Sequence, residues 1–350
     1  MSGSVAEIMI NEALPAGFES VVCDHCGSSE SLLYAELRDW LCGLPGVFRM
    51  VRCVHCGLLR LDPRPDSATI GRYYPTAYEP FANPSTPRGG IIHRLQDWSL
   101  EYGLRRRVRL VARFQADGEL LDVGCATGLF LAAARRLGRW EVQGVEPNNN
   151  AAQLGRRQLG LDIKRATFAD ADFGSRSFDV ITMWDVLEHL HHPTAALEKA
   201  SQLLRDEGVL LARVPHLEGI GARLFGRYWA GLDAPRHLHV FPRNVLTDML
   251  LKVGLVPLSW QCWGSYHIFA LSVQFWLQAR AGRVVRNLPW RAMSRSFPVR
   301  ILTLPGFTFV DRVLGRGSAV TVVAQRLDRD GLAGRRKGHR PASGTGLGQL

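Results

Sequence analysis

The chain has 350 residues, 46% of them hydrophobic, enough for one medium domain plus a small one and too apolar for global disorder. Its 43 basic against 32 acidic residues give a formal charge of +11, which points to anionic partners (nucleic acid, phosphorylated substrates, anionic lipid) or simply to a solvated basic surface. The N-terminus has no charged region followed by an apolar one, and the longest apolar stretch, His267 to Ala279, falls short of the roughly 20 residues that span a bilayer. A cytoplasmic protein without a signal peptide is expected, with peripheral contact to an anionic membrane left open.

Two Cys-x-x-Cys pairs come first, Cys23-Asp-His-Cys26-Gly27 and Cys53-Val-His-Cys56-Gly57. Each places two thiols on one tight turn, with a glycine that lets the backbone fold under a metal. Without a secretory signal such pairs suggest metal more than disulfides, and two knuckles complete a closed tetrahedral S₄ zinc site of structural type. Local or crossed disulfides are the alternative. A zinc-ribbon-like unit over residues 1–65 follows, with metal replacing the core so small a segment lacks.

Residues 66–115 read as a Pro/Tyr-rich connector, with a short helix around Ser67–Tyr74, followed by basic helical sequence. From Ile91 to Phe114 apolar residues recur at helical spacing among arginines (Leu95, Trp98, Leu104, Val108, Val111). That face packs on the following domain or touches a membrane.

From Glu119 the pattern alternates. Strands are predicted at Glu119–Val123, Glu141–Val145, Leu161–Lys164, Phe178–Met183 and Gly208–Val214, with helices Leu129–Leu137, Asn149–Leu159 and Pro193–Leu204 between them. Such alternation predicts a doubly wound, mostly parallel α/β sheet. Later strands fall at Leu255–Trp263 and Ala319–Gln325. Residues 266–316 read as an inserted helical cap within a domain spanning 116–327, and 328–350 as a disordered tail.

Three blocks carry the chemistry. The first, Glu119-Leu-Leu-Asp122-Val-Gly124-Cys125-Ala126-Thr-Gly128, is a strand, a small-residue turn and a helix start, which presents backbone N–H groups to a polar ligand. It lacks the Gly-x-Gly-x-x-Gly of dinucleotide sites. The second, Val145-Glu146-Pro147, puts a carboxylate at the end of the next strand, where it can accept from both hydroxyls of a ribose. The third runs from Phe178 through Trp184-Asp185 to Glu188-His189. Together they resemble the motifs of class I S-adenosylmethionine (SAM) methyltransferases, in particular the group called methyltransferase type 11, 12 or 23. The resemblance implies a seven-stranded Rossmann-like sheet and SAM contacts from Asp122, Gly124, Cys125, Ala126 (where glycine is usual), Gly128, Glu146, Pro147, Thr167, Phe168 and Trp184. An acidic residue usual at Thr167 is missing, with Asp170 as the substitute.

His189 is the first candidate base, since imidazole titrates near the working pH, and a core or helix-capping histidine is the plain alternative. Beyond the fifth strand, Trp229…Asp233-Ala-Pro235-Arg236-His237-Leu-His239 resembles a signature of SAM methyltransferases that also carry N-terminal cysteine knuckles. Arg236 is expected to pair with a substrate phosphate or carboxylate, and His237 is the second candidate base. A second metal site from His237 and His239 is a minor alternative. These features predict methyl transfer to oxygen or carbon of a small-molecule or carrier-linked sugar or natural product. An RNA methyltransferase ranks second, because the fourth-strand sequence Trp184-Asp-Val-Leu lacks the Pro-Pro of base amino-group methylation, and a non-catalytic SAM-binding scaffold ranks third.

Overall fold

The computed structural model describes residues 14–74, 91–263, 266–281, 306 and 315–327. The predicted tail 328–350, most of the cap beyond residue 281 and connector residues 75–90 lie outside the described residues.

The N-terminal segment holds β1 (Phe18–Glu19), β2 (Ser31–Leu37), β3 (Phe48–Cys53), β4 (Leu59–Leu61) and β5 (Arg64–Pro65). A 3₁₀ turn at Ile70–Tyr73 takes the place of the short helix predicted there. Helix α1 (Ile91–Ala112) follows and docks Leu104, Val108 and Val111 on the next domain. Trp98, placed on the same stripe by its spacing, is 65% exposed and stacks on Tyr102 instead.

Then come β6 (Asp117–Val123), α2 (Leu129–Leu137), β7 (Arg139–Val145), α3 (Asn149–Leu159), β8 (Asp162–Lys164), β9 (Phe178–Trp184), α4 (Pro193–Leu203) and β10 (Leu204–Pro215). The chain continues through α5 (Ile220–Phe225), β11 (His239–Val240), α6 (Arg243–Lys252), β12 (Leu255–Trp263), α7 (Tyr266–Ala281) and β13 (Ala319–Arg326). Seven strands form one sheet in the order β12-β13-β10-β9-β6-β7-β8. Strands β8, β7, β6, β9 and β10 run parallel, and β13 inserts antiparallel between β10 and β12. This is the seven-stranded Rossmann-like sheet that the resemblance implies. Its central strands bury both faces, so β9 and β10 read as near-continuous apolar runs. The strand order reverses between β6 and β9, and the crevice at their carboxyl ends is where such sheets bind ligands.

The N-terminal segment is not a free-standing bead. Its four-stranded sheet has the order β11-β4-β3-β2, so β11, contributed from beyond the parallel sheet's fifth strand, completes it through His239↔Arg60 and Val240↔Leu59. Cys23, Cys53 and Leu58 belong to the same buried cluster as Phe241, Val245 and Leu246.

Candidate functional site

A cavity of about 1500 Å³ opens at the reversal point. One half is built from the turns after β6, β7, β8 and β9. The turn after β6 is left-handed at Gly124 (φ 65°), Ala126 (φ 49°) and Gly128 (φ 78°). A side chain at Gly124 would strike Val186, which explains the glycine there. Ala126 holds the same left-handed region at a cost of about 1 kcal/mol relative to glycine. Its amide donates to Glu146 Oε2 at 2.9 Å while Asn148 N donates to Oε1 at 2.8 Å. Burial raises the Glu146 pKa against these two bonds.

Asp122 is 3% exposed and accepts from Thr182 Oγ1 at 2.6 Å. Burial pushes its carboxyl up to about 7, against the Thr182 bond and the charge of Arg107. Cys125, Pro147, Thr167, Phe168 and Trp184 line the same half. Thr167 Oγ1 donates to Asp170 at 2.6 Å, so these two side chains satisfy each other locally. Gly128 does not line the cavity. It caps α2, where a side chain would strike Leu161.

Sequence reading missed Arg107. It lines the cavity with its guanidinium 5.1 Å from the Trp184 ring centre, and burial, then Arg213, pulls its pKa down to about 9. Its spacing, three residues past Leu104 and four before Val111, puts it on the apolar stripe of α1, but an arginine interrupts the apolar pattern by which an inward face is read.

The other half gathers residues from distant parts of the chain: Glu19 and Tyr74 from the N-terminal segment, Glu188 and His189 after β9, Asp233 and His237 before β11, and Ile268, Leu271 and Phe275 from α7. Glu188 and His189 sit in a 3₁₀ turn, Leu187–His189, rather than opening the next helix. His189 Nδ1 lies 3.0 Å from Arg236 O and 2.9 Å from Tyr74 Oη, and His237 Nδ1 lies 2.8 Å from Gly231 O. A carbonyl only accepts, so both pairings put hydrogen on Nδ1 and leave Nε2 as the bare lone pair. Burial and the neighbouring His237 hold His189 down to about 3, and burial lowers His237 too, so both rings are neutral at neutral pH. The rings meet edge-on, 4.6 Å apart.

Glu188 is fully buried, neither carboxyl oxygen has a protein partner, and burial with nearby Asp185 raises its pKa well above the carboxylate range. Ligand atoms of Glu188, His189 and His237 lie within 4.8 Å of one another. The pairing of His237 with His239 is not realised: His239 is buried in β11 with its ring stacked on Phe241.

Arg236 corrects another expectation. It is fully buried and lies outside the cavity lining. Its Nη1 donates to Asp39 Oδ2 and Tyr73 O, its Nη2 to Asp39 Oδ1 and Asp233 Oδ1, and its Nε to Asp233 Oδ2, at 2.7–3.2 Å. All five donors are engaged, leaving none for a substrate anion.

The four N-terminal cysteines form a separate site. Their sulfurs lie within 4.8 Å of one another, with Cys23–Cys56 at 3.4 Å and Cys26–Cys53 at 3.5 Å. Gly27 N bonds Cys23 O and Gly57 N bonds Cys53 O, closing two matching turns with Gly27 and Gly57 left-handed.

Residues 93–259 match the family model described as a methyltransferase domain. The ubiquinone biosynthesis O-methyltransferase of Actinobacillus pleuropneumoniae serotype 5b is 25% identical over 206 residues, 55% of this chain and 86% of that protein. The one from Cereibacter sphaeroides strain ATCC 17025 is 31% identical over 153 residues, 40% of this chain and 61% of that protein. Among solved structures, magnesium protoporphyrin IX methyltransferase from Synechocystis PCC 6803 with bound SAH aligns with a TM-score of 0.47 at 11% identity, covering 73% of this chain and 97% of that one. By the family-model match and the curated relatives, residues 93–259 form a class I SAM-dependent methyltransferase domain, and the protein is a SAM-dependent methyltransferase.

Proposed function

We propose that the enzyme methylates oxygen or carbon of a small-molecule or carrier-linked sugar or natural product. The carrying observation is the lining of the cavity's far half: acids (Glu19, Glu188, Asp233), neutral histidines and Tyr74, backed by the apolar Ile268, Leu271 and Phe275 of α7. The basic groups that reach the cavity stand over Trp184 or Phe168 on the other side: Arg107, Arg213 and Lys199. Hydroxyls on an apolar frame suit such a lining, whereas a phosphate backbone does not, which ranks an RNA acceptor lower. Ubiquinone biosynthesis, named for the relatives, fits an acceptor with an apolar body and a hydroxyl at the reacting end.

In this reading SAM fits the first half. Glu146 accepts from the ribose hydroxyls through the lone pairs its two amide bonds leave free, Asp122 faces the ammonium, Arg107 the methionine carboxylate, and Thr167, Phe168 and Trp184 bound the adenine and methionine ends. Bound SAM supplies an electrophilic methyl that carries its own leaving group. The protein's part is alignment, exclusion of water and, for a hydroxyl or acidic carbon, a proton acceptor. Nε2 of His189 or of His237 offers that lone pair, with Glu188 beside them to hold the acceptor. Exposed Trp98, Leu100 and Tyr102 on α1 suit peripheral contact with an anionic membrane if the acceptor is lipid-linked.

The four cysteines fit a structural zinc ion: the all-thiolate donor set, the mutual proximity of the sulfurs and the paired turns are what a closed tetrahedral site requires. Elemental analysis should find one zinc per chain, lost in Cys23→Ser. The test of function is transfer of labelled methyl from SAM into extract of a strain lacking the gene, fractionated before and after nuclease. Label in nuclease-resistant small-molecule, glycan or lipid fractions supports the proposal, and label released by nuclease reverses the ranking.

A further inference from the structure

The turn carrying Glu188 and His189 runs on through His191 and His192, which also line the cavity, into α4. The loop before β11 holds its start, through Arg236 O on His189 Nδ1 and Leu238 N on Glu188 O, and the N-terminal segment holds the rest. Tyr74 Oη meets His189 Nδ1, Arg64 Nη1 donates to His191 O at 2.8 Å, and His191 Nε2 lies 3.1 Å from Pro65 O. The last fixing is at the start of α4, where His192 gives no side-chain cap. Asp24, 170 residues upstream, supplies one: its Oδ2 accepts from Thr194 N at 2.8 Å and from Thr194 Oγ1 at 2.5 Å. A carboxylate on an otherwise unpaired helix-terminal N–H is a normal N-cap, favoured also by the helix dipole.

Asp24 is the residue directly after Cys23, inside the first Cys-x-x-Cys turn. Whatever fixes that turn fixes the start of α4 and the acceptor-side turn before it. By contrast, the side-chain bonds of Asp122 and Glu146 go to Thr182, Ala126 and Asn148, all within the parallel sheet and its loops. The two halves of the cavity are therefore held by different parts of the chain.

We propose that Asp24 is a positioning residue for the acceptor-side turn, and that metal at the cysteines governs the acceptor half of the cavity but not the SAM half. This rests on the methyltransferase and zinc readings above and extends them to a division of labour.

The test uses the full chain with Asp24→Ala, Thr194→Val, the double variant and Thr194→Ser. Four quantities are read: zinc by elemental analysis, SAM affinity by calorimetry, amide hydrogen exchange over residues 187–194, and labelled-methyl transfer into the extract fraction that the wild type labels. Asp24→Ala and Thr194→Val should each speed exchange in that window about tenfold and lower transfer about tenfold. Zinc should stay bound, SAM affinity should stay within twofold, the double variant should be no worse than either single one, and Thr194→Ser should restore transfer. Unchanged exchange, or SAM affinity falling as far as transfer does, overturns the proposal. A wild type that binds no zinc overturns the metal arm alone, while a wild type that transfers no methyl overturns the functional reading and leaves the exchange result to judge Asp24.

Discussion

The two halves of the cavity are built on different plans. The half proposed to hold SAM comes mostly from one stretch, residues 122 to 184, with Arg107 added from α1, and is built from strand ends, backbone amides and left-handed turns. The acceptor half is assembled from Glu19 and Tyr74, from Glu188 and His189, from Asp233 and His237, and from α7. Local order builds a recurring site that any acceptor chemistry can share. Long-range assembly builds a particular one, and each piece can change without disturbing the cofactor.

The comparison can be broken at several points. The largest effect is expected at Arg236, whose ion pair with Asp39 is fully buried on both sides. Arg236→Met should cost about 3–5 kcal/mol of stability, because Asp39 and Asp233 are left with uncompensated buried charge. Urea unfolding checks this, and a stable variant with impaired acceptor binding would return Arg236 to the substrate.

Glu146→Ala removes a bidentate acceptor and should weaken SAM binding on the order of 100-fold, read by calorimetry, with little change in folding. His189→Ala and His237→Ala should lower labelled transfer at least about tenfold, within the usual range for a lost general base, and leave SAM affinity alone. A loss of SAM affinity in the histidine variants would mean the two halves are not separable.

The smallest effect concerns pH. The Asp122 carboxyl is raised to about 7, so it is charged above that value and takes up a proton as pH falls through it. A charged carboxylate favours the SAM ammonium. SAM affinity should therefore fall by up to about tenfold per unit below pH 7 and hold above it until the ammonium itself deprotonates at roughly 8. Asp122→Asn should flatten the profile at the weaker level, and a flat wild-type profile would remove Asp122 from that contact.

Much of the fold was legible because it follows local rules. The alternation from Glu119 to Val214 gave the parallel strands, and the later strands at Leu255–Trp263 and Ala319–Arg326 fall where their apolar runs place them. Apart from Arg107, the first half of the cavity was legible for the same reason, since its residues follow one another along strand ends and turns. What periodicity cannot show is a polar side chain facing inward on an apolar stripe or an apolar one facing out, and so Arg107 was missed and Trp98 misplaced. Arg236 looked like an anion-binding residue because its sequence neighbours are polar. Of its two carboxylate partners, Asp233 is one of those polar neighbours, and Asp39 lies 197 residues away and leaves no local trace. The same holds for Tyr74 against His189.

The pairing of β4 with β11 bears on how this enzyme can be recombined. An exchange of parts between relatives cut at residue 65 would separate Arg60 and Leu59 from His239 and Val240, and Asp39 from Arg236. The one cut breaks a strand pairing and takes the partner from buried Asp39, while Arg236 keeps only Asp233. The natural unit of inheritance on the acceptor side is therefore discontinuous: the N-terminal segment and the loop from Trp229 to Phe241 must travel together, and acceptor preference should be transplanted only by moving both.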